Sequence, residues 1–170
     1  VRVREGYEAG IGAALGVFGD ALLAESGADA GEVVRAARER DLGRLRAVIA
    51  SSSTATTPDA PQIDGLTRAT EVLIEAPEGV YGLLSRSYLA EEISLAVVGA
   101  AQLRERWPVE SFTIVTTSGD VLTQHTLTGG SGLAPSRIEL SAELEQAQQR
   151  RETLATELAE AEAALAELRE

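Results

Sequence analysis

"EGYEAGIGAALG" (Glu5–Gly16) spaces its apolar residues as a helix does, yet four of the twelve positions are glycine. A glycine inside a helix costs roughly 0.5–1 kcal/mol relative to alanine. Either this backbone cradles a ligand or another element approaches it closely. "GIGAALG" comes near a dinucleotide fingerprint, but that motif follows a buried strand and opens a helix. Here only "VRV" and charged residues precede it, and no G-x-x-x-x-G-K-[ST] occurs in the chain. Gly6 and Gly10, and likewise Gly12 and Gly16, lie four apart, so a helix carries them along two neighbouring lines. Tyr7, Ile11, Ala14, Leu15 and Phe18 supply apolar contacts beside them. The spacing predicts close packing at Gly6, Gly10, Gly12 and Gly16.

The remaining chemistry is sparse. The 170 residues contain no cysteine and a single histidine, His125, which excludes disulfides, thiolate metal sites and an ordinary histidine-based triad. No apolar run approaches the roughly 20 residues of a membrane span, and no signal-peptide pattern opens the chain. A soluble, cytoplasmic protein is expected, with no catalytic, cofactor-binding or metal-binding residues. All fifteen basic residues are arginine, and there is no methionine even at position 1. That absence predicts a piece of a longer protein. The net charge of −12 opposes general attraction to nucleic acid, so any such contact is local. Arg35–Arg46 holds five arginines interrupted by Glu39 and Asp41, which reads as a solvated helix face.

Composition changes abruptly at "GGSGLAPSR" (Gly129–Arg137). Beyond it, Leu140, Leu144, Ala147, Arg151, Leu154, Leu158, Ala161, Leu165 and Leu168 repeat at alternating spacings of 4 and 3. This is a heptad seam, broken only by Arg151. Ser136 and Glu139 supply a capping box. The pattern predicts a coiled-coil arm over 134–170 rather than one long amphipathic helix lying on the domain.

Residues 1–133 read as a mixed α/β domain, with a possible subdomain boundary in the polar loop 51–65. Helices are predicted near 7–18, 30–40, 78–88 and 98–106. Strands are predicted at 20–25, 44–50, 70–75, 93–98, 112–117 and 120–127, the last two joined in a hairpin by "TSGD". Two strand–helix units, Asp20–Arg40 and Ile93–Arg106, echo each other. Trp107 is expected to cap the core, and His125 to be structural or exposed. "LTGGSG" (Leu127–Gly132) is read first as a chain–chain interface, second as a flexible exit into the arm, third as a phosphate nest.

"EGYEAGIGAALG" followed by "DALLAES", then "SFTIVTTSGDVL…LTGGSG" and an immediate heptad arm, resembles the hinge domain of bacterial SMC (structural maintenance of chromosomes) proteins, in an actinobacterial-like form. The resemblance spans about residues 3–132. It implies a two-subdomain hinge that homodimerises in an SMC ATPase of chromosome condensation and segregation, cytoplasmic and nucleoid-associated. It further implies ATP and Mg in a head domain of the parent protein, and a partner arm upstream of Val1. By position, Gly129 and Gly130 match the family's glycine pair, with "TQHT" (Thr123–Thr126) where many members carry another. The implied dimer edge is Val121, Thr123, His125, Leu127, Gly129 and Gly130, with alternate residues of one strand facing one side. Weak DNA contact is expected at Arg2, Arg4 and Arg137. The alternatives are the hinge of a related DNA-repair or condensin-like protein and a small nucleotide-binding enzyme.

Overall fold

The structure, a computed structural model, describes residues 1–51, 60–108, 110–130 and 137–167, the last five by backbone alone. The strands are β1 (Arg2–Val3), β2 (Leu22–Ala24), β3 (Ala47–Ile49), β4 (Thr67–Arg68), β5 (Leu73–Glu75), β6 (Ser87–Ala90), β7 (Thr113–Thr116), β8 (Val121–Thr123) and β9 (Leu127–Thr128). The helices are α1 (Glu8–Leu15), α2 (Gly27–Glu39), α3 (Glu78–Leu84), α4 (Ile93–Arg106) and α5 (Arg137–Glu167). Short 3₁₀ turns follow α1 and precede β5.

A five-stranded sheet in the order β4-β6-β7-β8-β9 organises the body. Because side chains alternate across a strand, this sheet serves two cores. Leu89 and Val115 join Ile11, Leu15, Val80 and Leu84 of α1 and α3 on one face. Tyr88, Ile114 and Leu122 join Ala96, Ala100 and Leu103 of α4 on the other. Trp107 packs half-buried against this second core. Tyr88 is buried there and donates to the Pro61 carbonyl at 3.0 Å. Burial pushes its phenol above the ordinary value, partly offset by Arg68.

The repeat is present but displaced from its expected position. β2–α2–β3 and β6–α4–β7 are both strand–helix–strand units with parallel strands. "ISLAVV" is not a strand; it is the first half of α4. Its inward positions are small (Ala96, Gly99, Ala100) and its outward ones large (Ile93, Val97, Val98), which inverts the usual amphipathic signal. The strand of that unit is "SYLA" (β6), buried at all four positions and so without alternation. The helix predicted over 78–88 accordingly stops at Leu84. α2 begins earlier than expected because Ser26 and Asp29 form a reciprocal capping box.

The glycines of Glu5–Gly16 play different parts. A Cβ on Gly10 would stand 2.9 Å from Leu89 Cδ2 and 3.2 Å from the Thr116 carbonyl oxygen. α1 thus lies with its backbone against β6 and β7, and Gly12 is buried beside it. Gly6 and Gly16 are not close-packing sites. Open space surrounds both, and their φ angles of +88° and +51° are what an L side chain resists. Gly79 and Gly99 repeat the device of Gly10, since a Cβ on them would collide with the Ile49 carbonyl and with Leu66.

α5 is rooted on α1. Ile138 packs against the first core, Gln146 Nε2 donates to Glu5 Oε1 at 3.2 Å, and Arg137 Nε lies 3.8 Å from Asp20 Oδ1. Further along, Leu140, Leu144, Leu154 and Leu158 of the seam are 51–60 % exposed. The predicted cap at Ser136 and the seam's end at Leu168 lie outside the described residues.

Replacing Gly10 with alanine should cost about 1–3 kcal/mol, since the carbonyl it meets is backbone and cannot swing aside. The control is Gly31, exposed in α2 with nothing within 4 Å of its Cβ position. Gly31→Ala should stabilise by about 0.4–1 kcal/mol. Thermal melts check both, and equal melting temperatures for the two variants would refute the packing role of Gly10.

Candidate dimer interface

The segment expected to form one exposed strand folds back on itself. β8 pairs with both β7 and β9, so β9 forms the sheet's outer edge on this side, with β4 at the opposite edge. The break follows from Thr123, whose hydroxyl accepts from the amides of His125 (3.3 Å) and Thr126 (3.0 Å). Thr123 N also donates to the Thr126 carbonyl at 2.8 Å. Side-chain capture of backbone amides makes a turn where a strand would otherwise continue.

The expected interface residues therefore separate. Val121 is half-buried against the first core and Leu122 is buried in the second, so both faces of β8 are internal. Thr123 is occupied in the turn, and Val121 and Thr123 do not form an edge. His125 is exposed at the turn. Leu127, 58 % exposed in β9, with Gly129 and Gly130 after it, remains on the rim. β9 has no strand partner on its outer side among the described residues.

Asp120 holds this rim in place. Its Oδ2 accepts from the buried Thr116 hydroxyl at 2.9 Å, while its own amide donates to that hydroxyl at 2.9 Å. Its Oδ1 accepts from Gly130 N at 3.2 Å. A Cβ on Gly129 would fall on the same carboxylate, so the glycine meets a contact within its own chain. Gly130, at φ +130°, satisfies a backbone requirement. The sequence signalled the turn through "TSGD", but a single aspartate in a turn does not announce its partner ten residues on.

The three arginines expected to touch DNA are all engaged. Arg2 faces Glu75 at 3.9 Å across the β1–β5 pair. Arg4 donates to the Glu71 carbonyl at 3.0 Å, with its guanidinium 5.9 Å from the Tyr7 ring centroid. Arg137 faces Asp20. Among the described residues no cluster of His, Cys, Asp or Glu is arranged to hold a metal ion, and no helix is long and apolar enough to cross a membrane.

The molecule is thus a mixed α/β body with open strand edges, β9 among them, and a long seam-bearing helix rooted on α1. Residues 1–97 match the family model of the SMC proteins flexible hinge domain, and the chain belongs to that family. It is 34 % identical over 180 residues to the chromosome partition protein Smc of Mycobacterium leprae (strain TN), covering 99 % of this chain and 13 % of that protein. A crystal structure of an asymmetric dimer of the Geobacillus stearothermophilus SMC hinge domain matches with a TM-score of 0.67 at 21 % identity. The match covers 91 % of this chain and 66 % of that one. The Pyrococcus furiosus Smc hinge domain with an extended coiled coil matches with a TM-score of 0.60 at 22 % identity, covering 92 % and 57 %. These likenesses show the hinge fold.

Asp120→Ala should destabilise by about 1–3 kcal/mol, because the buried Thr116 hydroxyl loses its acceptor. Gly129→Ala should also destabilise, but less when Asp120 is already alanine, since the atom it meets is gone. A double-mutant cycle of denaturant melts reads this coupling. Additive effects would dissociate Gly129 from Asp120.

Proposed function

We propose that this hinge joins two copies of an SMC chain through the β9 edge and serves chromosome condensation and segregation at the cytoplasmic nucleoid, with DNA as a weak further contact. The observation that carries the reading is the unpaired outer side of β9 with Leu127 exposed upon it. Unpaired strand groups are met by water or by another chain, and a twofold pairing of like edges closes on itself. The name of the mycobacterial relative and the dimer described for the Geobacillus hinge support the same reading.

The second surface points to an arm. β1 sets Val1 beside Ile138 and Ser141 at the root of α5, so a helix arriving ahead of β1 would reach α5 where its exposed leucine seam begins. A coiled coil of the two arms would cover that seam. In this assignment the hinge joins chains and performs no chemistry, and ATP and Mg act in a head domain elsewhere in the parent.

Leu127→Asp tests the edge. The side chain is exposed, so the fold should survive with an unchanged far-UV circular dichroism spectrum, while like charges meet across the twofold and the stabilisation that dimerisation adds is lost. Light scattering should report a dimer for the parent and a monomer for the variant at micromolar concentration. A variant that remains dimeric would rule β9 out as the contact.

A further inference from the structure

α2 and the loop behind it carry Arg35, Arg38, Arg40, Arg44 and Arg46 against Glu39 and Asp41. Their partners set them apart from the arginines expected to meet DNA. Arg2 and Arg137 face carboxylates, and Arg4 is spent on a carbonyl. Arg104 and Arg106 likewise donate to the carbonyls of Gln124 and Gln62. Arg35 has Glu32 at 3.9 Å. Arg38, Arg40, Arg44 and Arg46 are all exposed and have no ion pair or side-chain hydrogen bond among the described residues.

The loop holding them is fixed at both ends. Asp41 N and Leu42 N donate back to the carbonyls of Arg38 (3.3 Å) and Ala37 (2.9 Å), closing the end of α2. Asp41 at φ 52° and Gly43 at φ 76° turn the chain, and the Arg46 carbonyl accepts from Leu22 N of β2 at 2.9 Å. The resulting hook surrounds a groove of about 400 Å³ lined by Arg38, Asp41 and Arg44. Arg38 and Arg44 share this groove with Asp41, and together with Arg40 and Arg46 they outnumber Glu39 and Asp41 in the stretch, so the hook offers exposed positive charge that an array of phosphates can neutralise.

We propose that the α2 hook, and not the root of the arm, is where this hinge meets the phosphate backbone of duplex DNA. The assignment rests on the DNA contact proposed above and places it. The chain carries −12 overall, so a duplex held at this patch would be released readily by salt.

Fluorescence anisotropy with a labelled 30-base-pair duplex tests the placement, at salt concentrations from 50 to 200 mM. Three variants of the chain are compared: Arg38, Arg40, Arg44 and Arg46 all to alanine, the same four to lysine, and Arg2, Arg4 and Arg137 to alanine. The four-alanine variant should bind at least tenfold more weakly at 50 mM, with the slope of log K against log salt shallower by about 3.6, near 0.9 for each of four phosphates no longer neutralised. The lysine variant should retain binding within about threefold, as should the arm-root variant. Arg44→Glu alone, on the exposed loop, should weaken binding with an unchanged melting temperature, which separates charge from folding. Parent binding with no loss in the four-alanine variant, or equal loss in the lysine variant, would overturn the hook. No binding by the parent at 50 mM would overturn the DNA contact itself.

Discussion

The Thr116 carbonyl oxygen lies 3.2 Å from where a Cβ on Gly10 would stand, and the hydroxyl of the same residue donates to Asp120 at 2.9 Å. Through the first contact α1 is pressed onto the middle of the sheet. α5 is rooted on α1 through Ile138 and Gln146, so the arm inherits its direction from that seat. Through the second, Asp120 fixes Gly130, the last described residue before α5. The rim of the sheet and the root of the arm therefore share one reference point. A larger residue at 10, or loss of the carboxylate at 120, would disturb both together.

This arrangement suits a part that transmits geometry. The body closes two cores around one sheet, yet leaves an apolar rim residue and an apolar seam exposed. Edge strands that are meant to stay single are short, charged or covered; β9 is short, but it carries Leu127 and no charge. The seam of α5 exposes Leu140, Leu144, Leu154 and Leu158 along one stripe, while Ile138 at its root sits on the first core. Both surfaces fit occupants of repetitive geometry, a strand edge and a helix, and neither offers an enclosed site for a small molecule.

Much of this is legible in the sequence alone. The glycine-rich helix, the "TSGD" hairpin and the heptad arm each rest on local chemistry that sequence displays directly, and the residues carrying the hinge resemblance sit in those same elements. The remainder depends on tertiary context. β6 shows no alternation because both its faces are buried, and α4 presents small residues inward because Leu66 and the sheet approach closely. Gly6, Gly10, Gly12 and Gly16 look alike in sequence, yet Gly10 yields space whereas Gly6 and Gly16 supply backbone freedom. The supposed edge strand 120–127 fails on one hydroxyl, Thr123, which turns it into a hairpin and moves the open edge to Leu127. The free arginines at the end of α2 and in the loop after it cannot be told from paired ones until their neighbours are in view.

The central claim, that the β9 rim is where two hinges meet, is tested most directly by amide hydrogen exchange as a function of protein concentration. Pairing at the edge should slow exchange in 127–130 as concentration rises through the dimer dissociation constant, while the interior strand β7 stays equally protected throughout. Concentration-independent exchange at 127–130, in a sample that light scattering shows to be dimeric, would contradict the account.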